Sequence, residues 1–279
     1  MTTLSFAIAV KGSWDADRLL EDLRNSGAGP SNEIHVACGP EHAPTTVPQG
    51  LKVHAKANAS LFDLWGLAIA KSRSQWVAIL HAHALPASGW FAAIQHAVET
   101  EGWKDGYWGP VEPRFDPTDP RMIGYLTEYC QFHRPLEPNL KEIPGSNLVL
   151  PRNKIEAEAD FSKTRLLREG LAPRLVEDAI VLYARPLRFT DYCRRRFQHG
   201  RAFAATRTPR LSLVAAVPLT AALPFVRCAR VVRHAWRHKD LRGASLRWLP
   251  AILATETCWS AGELTGYFTR RPGEAAALD

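Results

Sequence analysis

Short apolar runs alternate with amphipathic stretches over the first hundred residues of the chain. The apolar runs cover residues 4–10, 33–37, 51–54 and 76–80, and each predicts a β-strand. Apolar side chains at helical spacing predict helices at residues 14–26, 61–72 and 89–101. Because strands that alternate with helices favour parallel pairing, the pattern predicts a doubly wound α/β sheet. The strand at 76–80 is expected at its centre, and ligands at the carboxyl ends of the strands.

From residue 211 the pattern changes to longer apolar stretches. Residues 211–226 form an apolar run that Pro218 and Pro224 interrupt, and a second apolar stretch covers residues 246–268. Each is marginal against the ~20 residues that a spanning helix needs. The pattern predicts a domain over residues 1–205 and a helical membrane-docking segment over residues 206–279. Two amphipathic helices that pack on the first domain are the alternative.

The charge of the chain is unevenly distributed. Of the 279 residues 46% are hydrophobic, which predicts a substantial core, and the formal net charge is +7. Residues 185–247 contain 15 Lys or Arg and two Asp, a local net charge of +13 that leaves −6 for the rest of the chain. Such a block attracts polyanions, either nucleic acid or anionic lipid. Positive charge on both flanks of residues 211–226 disfavours a spanning hairpin and favours an interfacial arrangement.

The cysteines and the first apolar run of the chain indicate a cellular compartment. The five cysteines are scattered without a C-x-x-C pair, which argues against a zinc site or a disulfide framework and fits a reducing cytoplasm. The first apolar run follows Met1 without a basic flank or a cleavage site, so it predicts a strand and not a signal peptide. With the basic segment, these features predict a location at the cytoplasmic face of the inner membrane.

Several short segments carry a resemblance to a known family. They are residues 5–12 (SFAIAVKG), 33–39 (EIHVACG), 64–70 (LWGLAIA), 77–90 (VAILHAHALPASGW), 144–152 (PGSNLVLPR) and 259–267 (WSAGELTGY). Their order and spacing resemble those of glycosyltransferase family 2, whose membrane-associated bacterial members are similar at the carboxyl-terminal end. The resemblance extends over nearly the whole chain.

The resemblance implies a GT-A fold, which is a Rossmann-like, mostly parallel mixed sheet flanked by helices. It also implies inverting transfer of a sugar from a nucleotide-sugar donor to a lipid-linked or polysaccharide acceptor at a membrane. For the donor it assigns Val10, Lys11, Cys38, Gly39, Trp65, Gly66 and His81, and for the acceptor side Trp90, Gly145 and Asn147.

The chain departs from the family where the chemistry occurs. His81 and His83 stand at the positions of the family's metal-binding Asp-x-Asp. Imidazole holds manganese or zinc but is a poor ligand for magnesium. The resemblance therefore predicts a divalent cation, Mn or Mg, at His83 and His81, and two strand-end histidines without a metal are the alternative. Cys38 and Gly39 replace the acid pair that binds uridine, and a buried strand-end thiol is the alternative for Cys38.

An inverting transferase needs a carboxylate that can accept the proton of the acceptor hydroxyl. Acidic residues precede the family-like helix segment at residues 165–170 (RLLREG), and by position Glu158 or Asp160 takes this role. A solvated acidic helix start that the helix dipole stabilises is the alternative.

Three classes of function therefore compete. The first is an active glycosyltransferase, and the second is a degenerate GT-A-like protein that binds a partner without transferring sugar. The third is a nucleic-acid-binding protein that uses residues 185–247, where basic residues alternate with apolar runs and lack the aromatic platforms typical of such proteins. For the membrane segment we expect an apolar surface rimmed by Arg207, Arg210, Arg227, Arg230 and Arg233.

Overall fold

The architecture is taken from a computed structural model, which describes residues 3–102, 104–137, 140, 142–155, 170–206 and 213–271. The chain forms two compact units. One contains Met1–Glu112 and Leu136–Ala184, and the other contains Pro113–Pro135 and Arg185–Asp279. The division therefore differs from the predicted boundary at residue 205, because residues 185–206 and a segment from the middle of the chain belong to the second unit.

The first unit begins as the hydrophobic pattern predicts. Its first elements are β1 (Leu4–Val10), α1 (Ala16–Asn25), β2 (Glu33–Cys38), β3 (Leu51–Ala55), α2 (Leu61–Lys71) and β4 (Trp76–His81). β1 lies between β2 and β4, β3 lies beyond β2, and all three pairings are parallel. The four strands consequently end at the same edge of the sheet.

The remaining strands make the sheet mixed. The further elements are β5 (Ala84–Pro86), α3 (Trp90–Glu101), β6 (Tyr107–Trp108), β7 (Val111–Pro113), β8 (Asn147–Pro151), β9 (Arg174–Leu175) and β10 (Val181–Tyr183). β4 pairs antiparallel with β5 and β8, and the main path of the sheet runs β3-β2-β1-β4-β5-β10-β7. The central position of β4 confirms the prediction for residues 76–80.

The parallel strands separate two apolar layers. Alternate side chains of β1, including Phe6 and Ile8, pack in one cluster with Leu23 of α1 and Trp90 of α3, and all four are fully buried or nearly so. α2 contacts β1 and β2 and contributes the buried Leu64 and other apolar residues. The period-two alternation of the strands thus supplies both layers with apolar side chains.

The second unit is helical in its described residues. Its helices are α4 (Met122–Glu128), α5 (Phe189–Thr206), α6 (Leu213–Ala235), α7 (Lys239–Arg247) and α8 (Leu249–Thr269). α6 continues through Pro218 and Pro224 into the basic stretch, beyond the predicted end at residue 226. α8 begins separately from α7, with a proline in its first turn where a missing N–H costs nothing. None of the helices in the described residues combines the length and apolar character required to cross a membrane.

Candidate functional site

Three parallel strands end side by side at the carboxyl edge of the sheet. Val10 of β1 is paired with Cys38 of β2, and Ala9 is paired with His81 of β4. The chain leaves β1 at Lys11, leaves β2 at Gly39 and leaves β4 in a turn that contains His83. Since ligands of open α/β sheets bind at this edge, these neighbouring strand ends define the candidate site.

The two histidines flank a tight turn between β4 and β5. The ring centroids of His81 and His83 lie 5.3 Å apart, and His81 is 7% exposed while His83 is half-buried. The backbone N–H of His83 donates to Nδ1 of His81 over 3.1 Å. A neutral imidazole has one unprotonated nitrogen, so this bond puts the ring proton of His81 on Nε2.

In this turn one of the two predicted metal ligands, His81, is engaged by the backbone, and the metal site at His81 and His83 stays a prediction. The lone pair on Nδ1 of His81 is engaged by the turn itself, and Nε2 then carries a hydrogen and cannot ligate an ion. Within the described parts of the chain, no group of three or more His, Cys, Asp or Glu could hold a metal.

A carboxylate that the sequence reasoning missed lies at the end of β2. A Cβ atom added to Gly39 would lie 2.3 Å from Oε1 of Glu41, so the Glu41 side chain folds back over the glycine. Glu41 reaches this position because Pro40–His42 forms a 3₁₀ turn directly after the strand. Its side chain is 69% exposed. The resemblance to the family concerns positions 38 and 39. The carboxylate at this strand end belongs to Glu41, two residues after Gly39.

Cys38 itself is a core residue. Its side chain is fully buried in the same apolar cluster as Val10, which is also fully buried. Burial and the nearby Glu41 carboxylate raise the pKa of the Cys38 thiol, so the thiol stays neutral. Neither side chain has surface for a ligand in this structure.

α2 is anchored to the end of β4 by Trp65. The indole Nε1 of Trp65 donates to the carbonyl of Leu80 over 2.6 Å, and the side chain is 5% exposed. Gly66 is buried beside it. The helix starts with a capping box between Ser60 and Asp63, whose pKa is lowered to about 2 by hydrogen bonds from Ser60 and from Lys56. Trp65 thus positions the strand end that carries His81.

The two main residues of the predicted acceptor side contact each other inside the first unit. Nε1 of Trp90 donates to Oδ1 of Asn147 over 3.0 Å, and both residues are 0% exposed. Nδ2 of Asn147 donates to the carbonyls of Pro110 and Ala179 at 2.8 and 2.7 Å. Asn147 therefore joins three segments and has no surface for an acceptor. Gly145 is half-buried in the turn before β8.

The predicted catalytic bases Glu158 and Asp160 lie outside the described residues. Their assignment stays a prediction.

A cavity of about 600 Å³ lies away from this site. It is lined by Trp76, at the amino end of β4, and by the basic residues Arg73, Lys104, Arg152 and Lys154. Because Trp76 begins β4 and His81 ends it, the cavity and the candidate site lie at opposite ends of this strand.

Comparisons with known proteins find distant similarity to solved structures. No family model matches the sequence, and no curated protein matches it. Among solved structures, a mycobacterial protein is similar at 16% identity and a TM-score of 0.43, over 68% of this chain and 70% of that one. GalNAc-T7, solved with UDP, GalNAc and Mn²⁺, is similar at 12% identity and a TM-score of 0.44, over 66% of this chain and 43% of GalNAc-T7. TM-scores below 0.5 establish neither family nor activity, so the functional argument depends on the residues of this chain.

Proposed function

We propose that the first unit is a GT-A-like glycosyltransferase domain that transfers a sugar from a nucleotide-sugar donor with inversion at the anomeric carbon. The acceptor is a lipid-linked or polysaccharide hydroxyl. The resemblance of the segment order to glycosyltransferase family 2 supports the reaction class, and the residues at the carboxyl edge of the sheet support a site for an anionic donor.

One observation carries the proposal, namely the convergence of polar groups where the parallel strands β1, β2 and β4 end. Lys11 follows β1, Glu41 folds back over the end of β2, and His81 and His83 turn the chain after β4. Most other side chains of these strands are apolar and buried, and Ser5, Glu33 and His35 are the polar exceptions. Polar groups that gather at the carboxyl ends of buried strands are typical of a ligand site.

Each of these groups has a role in the proposed reaction. The Lys11 ammonium and the imidazole N–H of His81 would contact the diphosphate, whose negative charge grows as the bond to the sugar breaks. His83 would add a second imidazole donor from the same turn. The Glu41 carboxylate would accept hydrogen bonds from the nucleoside. No step requires ligation of a metal by the two histidines.

The acceptor step requires a base. The acceptor hydroxyl attacks the anomeric carbon, its proton passes to a carboxylate, and the nucleoside diphosphate leaves. Glu158 or Asp160 is the base in this proposal. Replacement of both by their amides should abolish transfer and leave binding of the nucleoside diphosphate intact, whereas unchanged turnover would remove them from the mechanism.

Calorimetric titration with UDP, GDP, CDP and ADP tests the donor site directly. The diphosphate that binds best should bind His83→Ala about tenfold more weakly, as expected for the loss of one charge-assisted hydrogen bond. The corresponding nucleoside should bind both proteins equally. His96→Ala is a matched control, because His96 is exposed on α3. If none of the four binds, or if His83→Ala binds as well as wild type, the site is wrong.

The absence of the family's carboxylates favours a second candidate, a GT-A-like protein that binds nucleotide without transfer. Release of free sugar from the sugar conjugate of the best-bound nucleotide separates the two. Slow hydrolysis that Glu158→Gln or Asp160→Asn removes supports the transferase. Tight binding without any hydrolysis or transfer supports the binding protein.

A further inference from the structure

The outer side of α6 carries a continuous apolar stripe. Its members are exposed and recur at spacings of three, four and one residues, namely Val217, Pro218, Ala221, Ala222, Phe225, Val226 and Ala229. Phe225 is 66% exposed and Val226 is 61% exposed, the highest values among the large apolar residues of the described chain. A stripe of this size on a helix surface indicates a docking site.

Basic residues follow the stripe on the same side of the helix. Arg230 and Arg233 are exposed in the next turns, and Trp236 is 49% exposed just after the helix ends. α6 contains no acidic residue. Arg227, expected from the sequence at the rim, is instead turned inward to ion pairs with Glu256 and Glu263. Arg207 and Arg210 lie outside the described residues.

α8, which packs against α5 and α6, is polar on its buried side. Glu256 and Glu263 are 2% and 1% exposed, and they pair with Arg196 of α5 and Arg227 of α6. The residues that α8 leaves exposed are all uncharged, namely Pro250, Ala254, Thr257, Ala261, Phe268 and Thr269. Buried, paired carboxylates behind an uncharged outer face fit contact of that face of α8 with lipid.

The backbones of α5 and α8 approach each other closely at two glycines of α8. A Cβ on Gly262 would lie 1.8 Å from the carbonyl oxygen of Phe197, and one on Gly266 would lie 2.3 Å from that of Arg201. Glycines four residues apart at a helix contact are typical of helices that associate in membranes, where packing and polar contacts replace the hydrophobic effect.

We propose that the apolar stripe of α6 docks on an anionic lipid surface, with Arg230 and Arg233 at the level of the headgroups. A bilayer supplies both a hydrocarbon phase for the stripe and negative charge for the arginines, which together match the two halves of α6. From Val217 to Ala229 the stripe spans ~18 Å at 1.5 Å per residue, short of the ~30 Å hydrocarbon core. The helix therefore lies in one face of the membrane. The inference does not depend on the proposed transferase activity.

Vesicle flotation of the full chain tests the docking. We expect the protein to float with vesicles of equal parts phosphatidylglycerol and phosphatidylcholine and to stay at the bottom with phosphatidylcholine alone. Phe225→Ser combined with Val226→Ser should lower partitioning about tenfold or more, since each buried apolar side chain contributes roughly that factor. Val47→Ser, at a valine 45% exposed in the first unit, is the matched control and should float as wild type does.

A charge reversal tests the second half of the helix. Arg230→Glu with Arg233→Glu should prevent flotation with the anionic vesicles, whereas Arg18→Glu with Arg24→Glu on α1 should not. A wild-type protein that floats with neither vesicle overturns the proposal, as does a Phe225→Ser/Val226→Ser variant that floats undiminished. Light scattering that shows a dimer, dissociated by the same two serines and without flotation, would assign the stripe to a second copy of the chain instead.

Discussion

The buried charge cluster of the second unit makes a quantitative prediction. Arg196 and Arg227 face Glu256 and Glu263, and Trp259 lies between them, with the two guanidinium carbons 4.4 and 4.5 Å from its ring centre. Two positive and two negative charges balance. Glu256 is central because it accepts a hydrogen bond from Arg196 and forms an ion pair with Arg227. Glu256→Gln removes one negative charge and leaves an excess positive charge buried.

The expected loss is large. Breaking a buried ion pair by removing one partner costs about 3–5 kcal/mol, because the remaining charge is desolvated without compensation. For a unit of this size such a loss corresponds to about 10–20 °C in melting temperature. An exposed pair gives the contrast. Asp119 and Arg121 are 24% and 41% exposed in the same unit, so Asp119→Asn should cost less than about 1 kcal/mol.

Urea unfolding followed by tryptophan fluorescence measures both losses. A double variant, Glu256→Leu with Arg196→Met, should recover most of the stability lost in Glu256→Gln, because Arg227 and Glu263 still balance each other. The reasoning is refuted if Glu256→Gln costs no more than Asp119→Asn. It is also refuted if the double variant is as unstable as the sum of its single changes.

Two further predictions concern helix packing and pH. Gly262→Ala should destabilise the protein by roughly 3 kcal/mol or more, because its methyl group would overlap the Phe197 carbonyl, while Gly243→Ala, with open space around it, should stabilise by about 0.5–1 kcal/mol. Melting curves of the two variants should therefore shift in opposite directions. Burial lowers the pKa of His35 to about 4, so below pH 6.5 the unfolded chain binds a proton that the native chain does not, and stability falls as the pH drops from 6.5 towards 4. His35→Gln should flatten this dependence by up to about 1.4 kcal/mol per pH unit, and His96→Gln, at an exposed site, should leave it as it is.

The hydrophobic pattern predicts β1 to β4 and α1 to α3 to within two residues, because alternation in strands and helical spacing are local properties of the sequence, whereas it misses the short strand β5. The boundary between the two units, in contrast, depends on contacts between residues that are far apart in the sequence. Residues 113–135 join the helical unit through contacts with segments more than fifty residues away, for example a bond between Tyr192 and Thr127. Sequence spacing contains no signal for such contacts.

Some features of the candidate site follow from the local sequence pattern, and others depend on the folded backbone. The strand ends at Lys11, Gly39 and His81 follow from the predicted strands, so their common edge was predictable. The 3₁₀ turn that returns Glu41 over Gly39, and the bond that fixes the His81 ring, depend on backbone geometry after the strand ends. Those details decide which chemistry the edge can perform.

The charge balance of the proposed donor site leads to a last prediction. A pair of aspartates with a divalent cation is neutral, and the pair repels a diphosphate unless the cation is bound. His81 and His83 carry no negative charge that would repel it, and Lys11 adds a positive charge at the neighbouring strand end. The loss of both carboxylates therefore removes the need for the cation at this position. Binding of the preferred nucleoside diphosphate should be unchanged when EDTA is added, and Lys11→Ala should weaken it by about tenfold or more. Binding that EDTA abolishes and manganese restores would contradict this argument, and would show that an ion is held at the diphosphate.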